Sequence, residues 1–279
     1  MRRQRRVAAL AILAAAALAA AGCGSSEEKS SAAKAAPTAT TAAGPNGKIS
    51  VVYDEPSDDV GTQAKEILRL GGTDGVAAGF TKSFKLPFDI TIHAVNGLVG
   101  PSYDPSTKAI TLSYGFVDFT AGVLKKNFPE LRRNDEEFGR QLAAVDGFIL
   151  VHEFGHAFVD AFDLPVLGRE EDAADAVATV FLTRAVDNGN EYAFDAARFF
   201  NALSGRQRKL APADYFDEHS LDKQRAYSIV CWIAGSGEQA YNDVAKLQIL
   251  SEERQRRCPA EYQQKVEAVE QLLKPHARA

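Results

Sequence analysis

Hydrophobic and polar positions change character three times along the chain. Residues 7–21 form an unbroken apolar run, residues 24–47 carry no large apolar side chain, and regular patterning starts only after residue 47. Residues 49–53 are a short β-rich run ended by Asp54-Glu55-Pro56, and residues 57–70 have helical spacing closed by Gly71-Gly72. Residues 88–94 alternate as a strand does, ahead of an Asn96-Gly97 turn signal. Residues 109–114 are a further strand, reached through the Asp104-Pro105-Ser106 turn. From Phe116 onward the spacing predicts helices over 116–127, 136–163, 170–186, 191–204, 220–234, 237–248 and 259–273. No internal repeat is present. A few strands followed by a run of helices predicts an α+β fold, mostly helical with a small N-terminal mixed sheet, and not a doubly wound one.

The apolar run at the N-terminus is too short for a comfortable membrane span. It follows Arg2, Arg3, Arg5 and Arg6 and ends in small residues, which is the layout of an export signal. The junction Ala20-Ala21-Gly22-Cys23 is similar to a bacterial lipoprotein signal, whose cysteine becomes the lipid-bearing first residue. The position three before the cysteine, usually leucine in such signals, is Ala20. The resemblance implies a signal peptide over 1–22, lipidation at Cys23, and a chain held at a bacterial cell membrane by acyl chains alone. Without lipidation the same signal implies secretion. Residues 23–47 cannot bury enough surface to fold and read as a flexible tether, leaving 48–279 as the folded domain.

Export bears on the cysteines and on the charge. Cys231 and Cys258 are the two that remain beyond Cys23, and an oxidising compartment favours their pairing. Closing that loop contributes roughly 3–4 kcal/mol through lost unfolded-state entropy. The chain carries 32 basic against 37 acidic residues, a net charge of −5, and losing the four N-terminal arginines deepens it. An acidic surface offers no electrostatic footprint for nucleic acid or anionic lipid.

The candidate chemistry lies in Val151-His152-Glu153-Phe154-Gly155-His156, an HExxH motif inside a strongly apolar helix. Side chains four apart on a helix lie one above the other, so His152 and His156 can reach one ion, with Glu153 beside them as general base. Burying three ionisable groups on an apolar helix costs several kcal/mol unless a cation compensates. Zinc hydrolases need a third protein ligand. Glu171 is the candidate, four residues before Asp175, which can hold the free ring nitrogen of a ligand histidine. Glu170 and Asp172 are fallback ligands. In several families of the gluzincin class of zinc peptidases, which this region resembles, a downstream histidine or arginine faces the metal. The resemblance implies His219 as oxyanion stabiliser, oriented by Asp217 or Asp222, with Arg225 as a supporting cation and Tyr227 as another candidate for the role. The same segment also reads as a helix start capped by Ser220 or His219. His93 reads as a packed or surface residue and His276 as a solvated tail residue.

HEFGH followed by Glu-x-x-x-Asp resembles the gluzincin class of zinc peptidases, to which thermolysin belongs. Val159 and Phe162 stand where the glycine and third histidine of the HExxHxxGxxH class would be. The string HEFGHAFVDAFDLPVLGREEDAADAVAT is similar to a family of exported bacterial metallopeptidases, over most of residues 48–275. The similarity includes the Tyr103-Asp104-Pro105-Ser106-Thr107 hairpin and the Asp217–Arg225 segment; the spacing Asp-x-His-x-x-x-x-x-Arg also resembles a motif of membrane-associated zinc peptidases. The resemblance implies a zincin-like domain with an HExxH active-site helix, one zinc ion per chain and a peptide or protein substrate. The strand at 109–114 is then expected to offer an open edge to an extended peptide. The approach to it reads Gly100-Pro101-Ser102-Tyr103 where the family has Asn-Ala-aromatic. Two alternatives stay open: a catalytically inactive, metal-stabilised lipoprotein acting as a binding module, and a zinc amidase acting on cell-wall cross-links.

Overall fold

The structure is a computed structural model that describes residues 46–205 and 210–278. The signal peptide, Cys23 and nearly all of the tether lie outside the described residues. The elements are β1 (Ile49–Tyr53), α1 (Asp59–Leu70), α2 (Thr73–Ser83), β2 (Ile90–Val95), β3 (Ser102–Asp104), β4 (Ala109–Ser113) and α3 (Tyr114–Asn127). They continue as α4 (Asp135–Phe162), α5 (Glu170–Ala185), α6 (Gly189–Ser204), α7 (Pro212–Phe216), α8 (Asp222–Gly235), α9 (Glu238–Leu247) and α10 (Glu252–Leu273). This is the expected α+β arrangement, a small mixed sheet leading into helices.

The sheet runs in the order β1-β2-β4-β3, with β1, β2 and β4 parallel and β3 antiparallel to β4. Period-2 alternation buries Ile90, Ile92 and Ala94 of β2 with Ile110 and Leu112 of β4. The edge expected at 109–114 is therefore not open: β4 is paired on both sides, and β3 is the edge beside it. Three residues recruited by the Asp104 turn suffice, because that turn folds Ser102–Asp104 back onto β4.

Helix α4 is the axis of the domain. Asn134 caps it by accepting the Glu137 N–H at 3.1 Å, and Asp135, Glu136 and Glu137 complement the positive end of its dipole. It ends at Asp163 in the left-handed region, φ 49°, just before Leu164-Pro165. By length and composition α4 could cross a bilayer, yet 78% of its most apolar window is buried within the fold. It is a core helix. Phe154 and Phe158 interlock with Phe80 of α2 at ring-centroid separations of 4.8 and 5.2 Å, edge-to-face contacts that stabilise beyond the area they bury.

Three local expectations were wrong. Helix α2 follows Gly71-Gly72 directly: Gly72, with φ 91°, turns the chain and restarts it as a helix whose Val76, Ala77 and Phe80 are buried. Helix α10 starts at Glu252, capped by Ser251, and runs through Pro259. Proline removes one helical N–H there, but the disulfide joining Cys258 to Cys231 of α8, and the burial of Tyr262 and Val266, hold the segment helical. His276 is not a free tail residue but half-buried: its ring stacks on Phe162 at 4.0 Å, and Arg278 donates to the Phe84 carbonyl.

One buried group is a liability. Asp146 of α4 is 7% exposed, its Oδ2 has no hydrogen-bond partner, and burial pushes its carboxyl up to about 8. Its folded value lies above the unfolded one, so the fold loses stability as pH rises from about 4 towards 8. Asp146→Asn is expected to raise unfolding stability by about 2 kcal/mol or more at pH 8, the amide's own burial offsetting part of the gain. Urea unfolding at pH 5 and pH 8 reads this directly: the stability gap between the two pH values should narrow in the variant.

Candidate metal centre

The site forms where α4, α5 and the segment before α8 meet. One helical turn stacks His152 over His156 and brings their Nε2 atoms to 3.3 Å. Between them in sequence, Gly155 faces α5. A Cβ there would lie 2.8 Å from the Ala174 Cα, so glycine is what lets α5 come this close. That approach delivers Glu171, whose Oε2 lies 3.0 Å from His152 Nε2 and whose Oε1 lies 3.4 Å from His156 Nε2. His219 adds its Nε2 at 2.9 Å from Glu171 Oε2. One ligand atom each from His152, Glu171 and His219 lie within 4.8 Å of one another, a group able to hold a metal ion.

The donors fit a small tetrahedral cation. Ligand atoms at 2.0–2.1 Å from such an ion sit roughly 3.3 Å apart, which matches the His152–His156 and His156–Glu171 separations. Each imidazole is also held at its far nitrogen. His152 Nδ1 is 2.9 Å from Asp175 Oδ1, His156 Nδ1 is 2.8 Å from Glu170 Oε1, and His219 Nδ1 is 3.2 Å from Asp217 Oδ1. A carboxylate behind Nδ1 keeps the proton there and leaves Nε2 facing the common centre.

The electrostatics follow from this crowding. Burial alone would push His152 down, but hydrogen bonds to Asp175 and Glu171 outweigh it and hold it at about 9. Burial likewise opposes the charged form of Glu171, and the three imidazoles overcome it, keeping the carboxylate far below its usual range. Asp175 is fully buried, yet Arg225 and His152 hold it at about 2. Glu153 behaves differently: burial pushes it up, and its Oε2 has no hydrogen-bond partner. It lines a cleft of about 820 Å³ that also contains His156, Glu171 and His219.

Of the residues singled out from sequence, His152, Glu153, His156, Glu171, Asp175, Asp217 and His219 meet here. Glu170 turns to the far side of His156, and Asp172 is neither in the cleft lining nor in the metal-capable group. Arg225 does not face the cleft. Its guanidinium grips Asp175 through Nε at 2.8 Å and Nη2 at 2.7 Å, behind His152, because α8 packs on α5 from that side. Tyr227 is 39% exposed and does not line the cleft. Helix α8 is capped at Leu221, so neither Ser220 nor His219 is its cap. His93 is paired with Asp54 at 2.8 Å, away from the cleft.

Sequence reasoning missed Arg169. Its Nη1 donates to the carbonyls of Asp217, Glu218 and His219, fixing the His219 loop over the start of α5. It missed the opposite wall as well, where Tyr103 of β3 and Lys108 both meet Asp160 of α4, at 2.6 and 2.7 Å. No spacing rule links residues so far apart in the chain; only the position of Arg169 beside the acidic turn hinted at a role.

A family model described as putative metallopeptidase matches residues 53–273. No curated protein and no solved structure matches the chain.

Proposed function

The chain belongs to the putative metallopeptidase family, and from that premise we propose that it is a zinc peptidase in which His152, His156 and Glu171 hold the ion and Glu153 moves the proton. The observation that carries the reading is Glu153 itself: a buried carboxylate with an unpartnered Oε2, in the same cleft as the converging imidazoles. A bound zinc ion supplies Lewis acidity, lowering the pKa of a water towards neutrality and polarising a carbonyl. Burial raises the affinity of Glu153 for a proton, which suits it to take one from the attacking water at Oε2 and return it to the leaving nitrogen. His219, held by Asp217 and by the Arg169-pinned loop, stands where it can either complete the ligand set or donate from Nε2 to the oxyanion. The free edge of β3 borders the cleft through Ser102 and Tyr103 and can take an extended peptide as an added strand. Export and lipid attachment at Cys23 belong to the same proposal and rest on the N-terminal sequence alone.

The test is metal content. Purified chain is expected to carry about one equivalent of zinc, and His156→Ala is expected to lose it. The absence of stoichiometric metal from the unaltered chain sinks the reading. Stoichiometric zinc without hydrolysis of any peptide would favour the binding module, and cleavage of cell-wall amides alone would favour the amidase.

A further inference from the structure

The cleft is much more acidic than metal binding requires. Among the described residues six carboxylates line it, from Glu153, Asp160, Asp163, Glu170, Glu171 and Glu218, against the guanidinium of Arg169 and the Lys108 ammonium that meets Asp160. That guanidinium is committed to the carbonyls of Asp217, Glu218 and His219. Most of the carboxylates are committed too. Glu171 meets the imidazoles, Glu170 holds His156, Asp160 is taken by Tyr103 and Lys108, and Glu153 is reserved for the proton. Asp163 and Glu218 are different. Their carboxylates have no hydrogen-bond or ion-pair partner among the described residues, and both line the cleft, one at the end of α4 and the other on the His219 loop. A bound divalent cation offsets two negative charges and leaves the cleft negative.

We propose that this cleft selects polypeptide segments bearing lysine or arginine side chains close to the bond positioned at the metal, with Asp163 and Glu218 as the residues that determine the preference. The proposal rests on the peptidase reading and adds the substrate class. A one-signed cleft concentrates oppositely charged ligands and raises their association rate, and each unpaired carboxylate offers a guanidinium or ammonium a charge-assisted hydrogen bond. The same field disfavours acidic segments, so the selectivity has an attractive and a repulsive part.

The test uses fluorescent decapeptides identical except for lysine, alanine or glutamate flanking a common neutral centre, and two readouts. Binding to zinc-loaded Glu153→Gln protein is measured by anisotropy, and hydrolysis by the unaltered protein is followed separately. The lysine peptides are expected to bind on the order of tenfold tighter than the glutamate ones, and the gap should shrink in 0.5 M salt. The Asp163→Asn/Glu218→Gln double variant should lose most of the gap while keeping its zinc. Equal binding of all three peptides, no binding of any, or a preference untouched by the double variant overturns the proposal. Hydrolysis without charge preference overturns it and leaves the peptidase reading standing. Selective binding without hydrolysis does the reverse.

Discussion

Glu153→Gln is expected to lower peptide hydrolysis by about 10²–10⁴-fold while leaving zinc content unchanged. Glutamine matches glutamate in size and cannot take a proton from water at neutral pH. His152, His156 and Glu171 hydrogen-bond to one another and to Asp175 and Glu170, and among the described residues none of them bonds to Glu153, so the substitution breaks no contact that holds a ligand candidate. Stability supplies an internal control. Glu153 is 5% exposed with an orphaned Oε2, and an amide there removes a buried ionisable group. Thermal unfolding of the metal-free variant should therefore match or exceed that of the unaltered chain. Metal content, hydrolysis and melting temperature measured together separate loss of the proton carrier from loss of the site. Unchanged hydrolysis would exclude Glu153 from the chemistry.

Asp175→Ala is expected to cost about 3–5 kcal/mol of stability and to weaken zinc binding by about 10–100-fold. Two effects add. Arg225 keeps only 10% of its side-chain surface exposed and loses a bidentate partner, leaving an uncompensated charge over the Phe200 ring. His152 loses the carboxylate that fixes its ring. The pair of effects can be split: Asp175→Leu combined with Arg225→Met should recover much of the stability, since no buried charge is stranded, without recovering zinc affinity. Urea unfolding and competition against a zinc chelator provide the two measurements. The pH dependence has a definite sign. Asp175 is held at about 2 in the fold, below its unfolded value, so its contribution is full above about pH 4 and is lost as pH falls towards 2. That loss amounts to about 2 kcal/mol.

How much could be read without coordinates is uneven, and the reasons are physical. Helix α4 was legible because caps, acidic first turn and apolar content agree along 28 residues. The stacking of His152 and His156 was legible because a spacing of four is a property of any helix. Helix α2 was hidden because its glycine start reads as a break, and Pro259 hid the beginning of α10 because packing and a disulfide outweigh one missing N–H. The open edge was assigned to β4 because pairing partners are not encoded in a strand's own alternation; β3 is too short to announce itself.

The chain's order alone therefore determined the helix that carries two imidazoles and a carboxylate, and the α+β class that surrounds it, since both follow from local periodicity. Tertiary structure decided the rest. Gly155 against Ala174 sets how near α5 comes, and hence whether Glu171 touches the imidazoles at all. Packing of α8 on α5 turned Arg225 into the partner of Asp175 behind the site, not a cation inside it. Arg169 placed His219 over the same carboxylate from a loop 50 residues away. Contacts of that kind depend on where two helices cross, a quantity set by the shapes of all the side chains between them and not by spacing along either one.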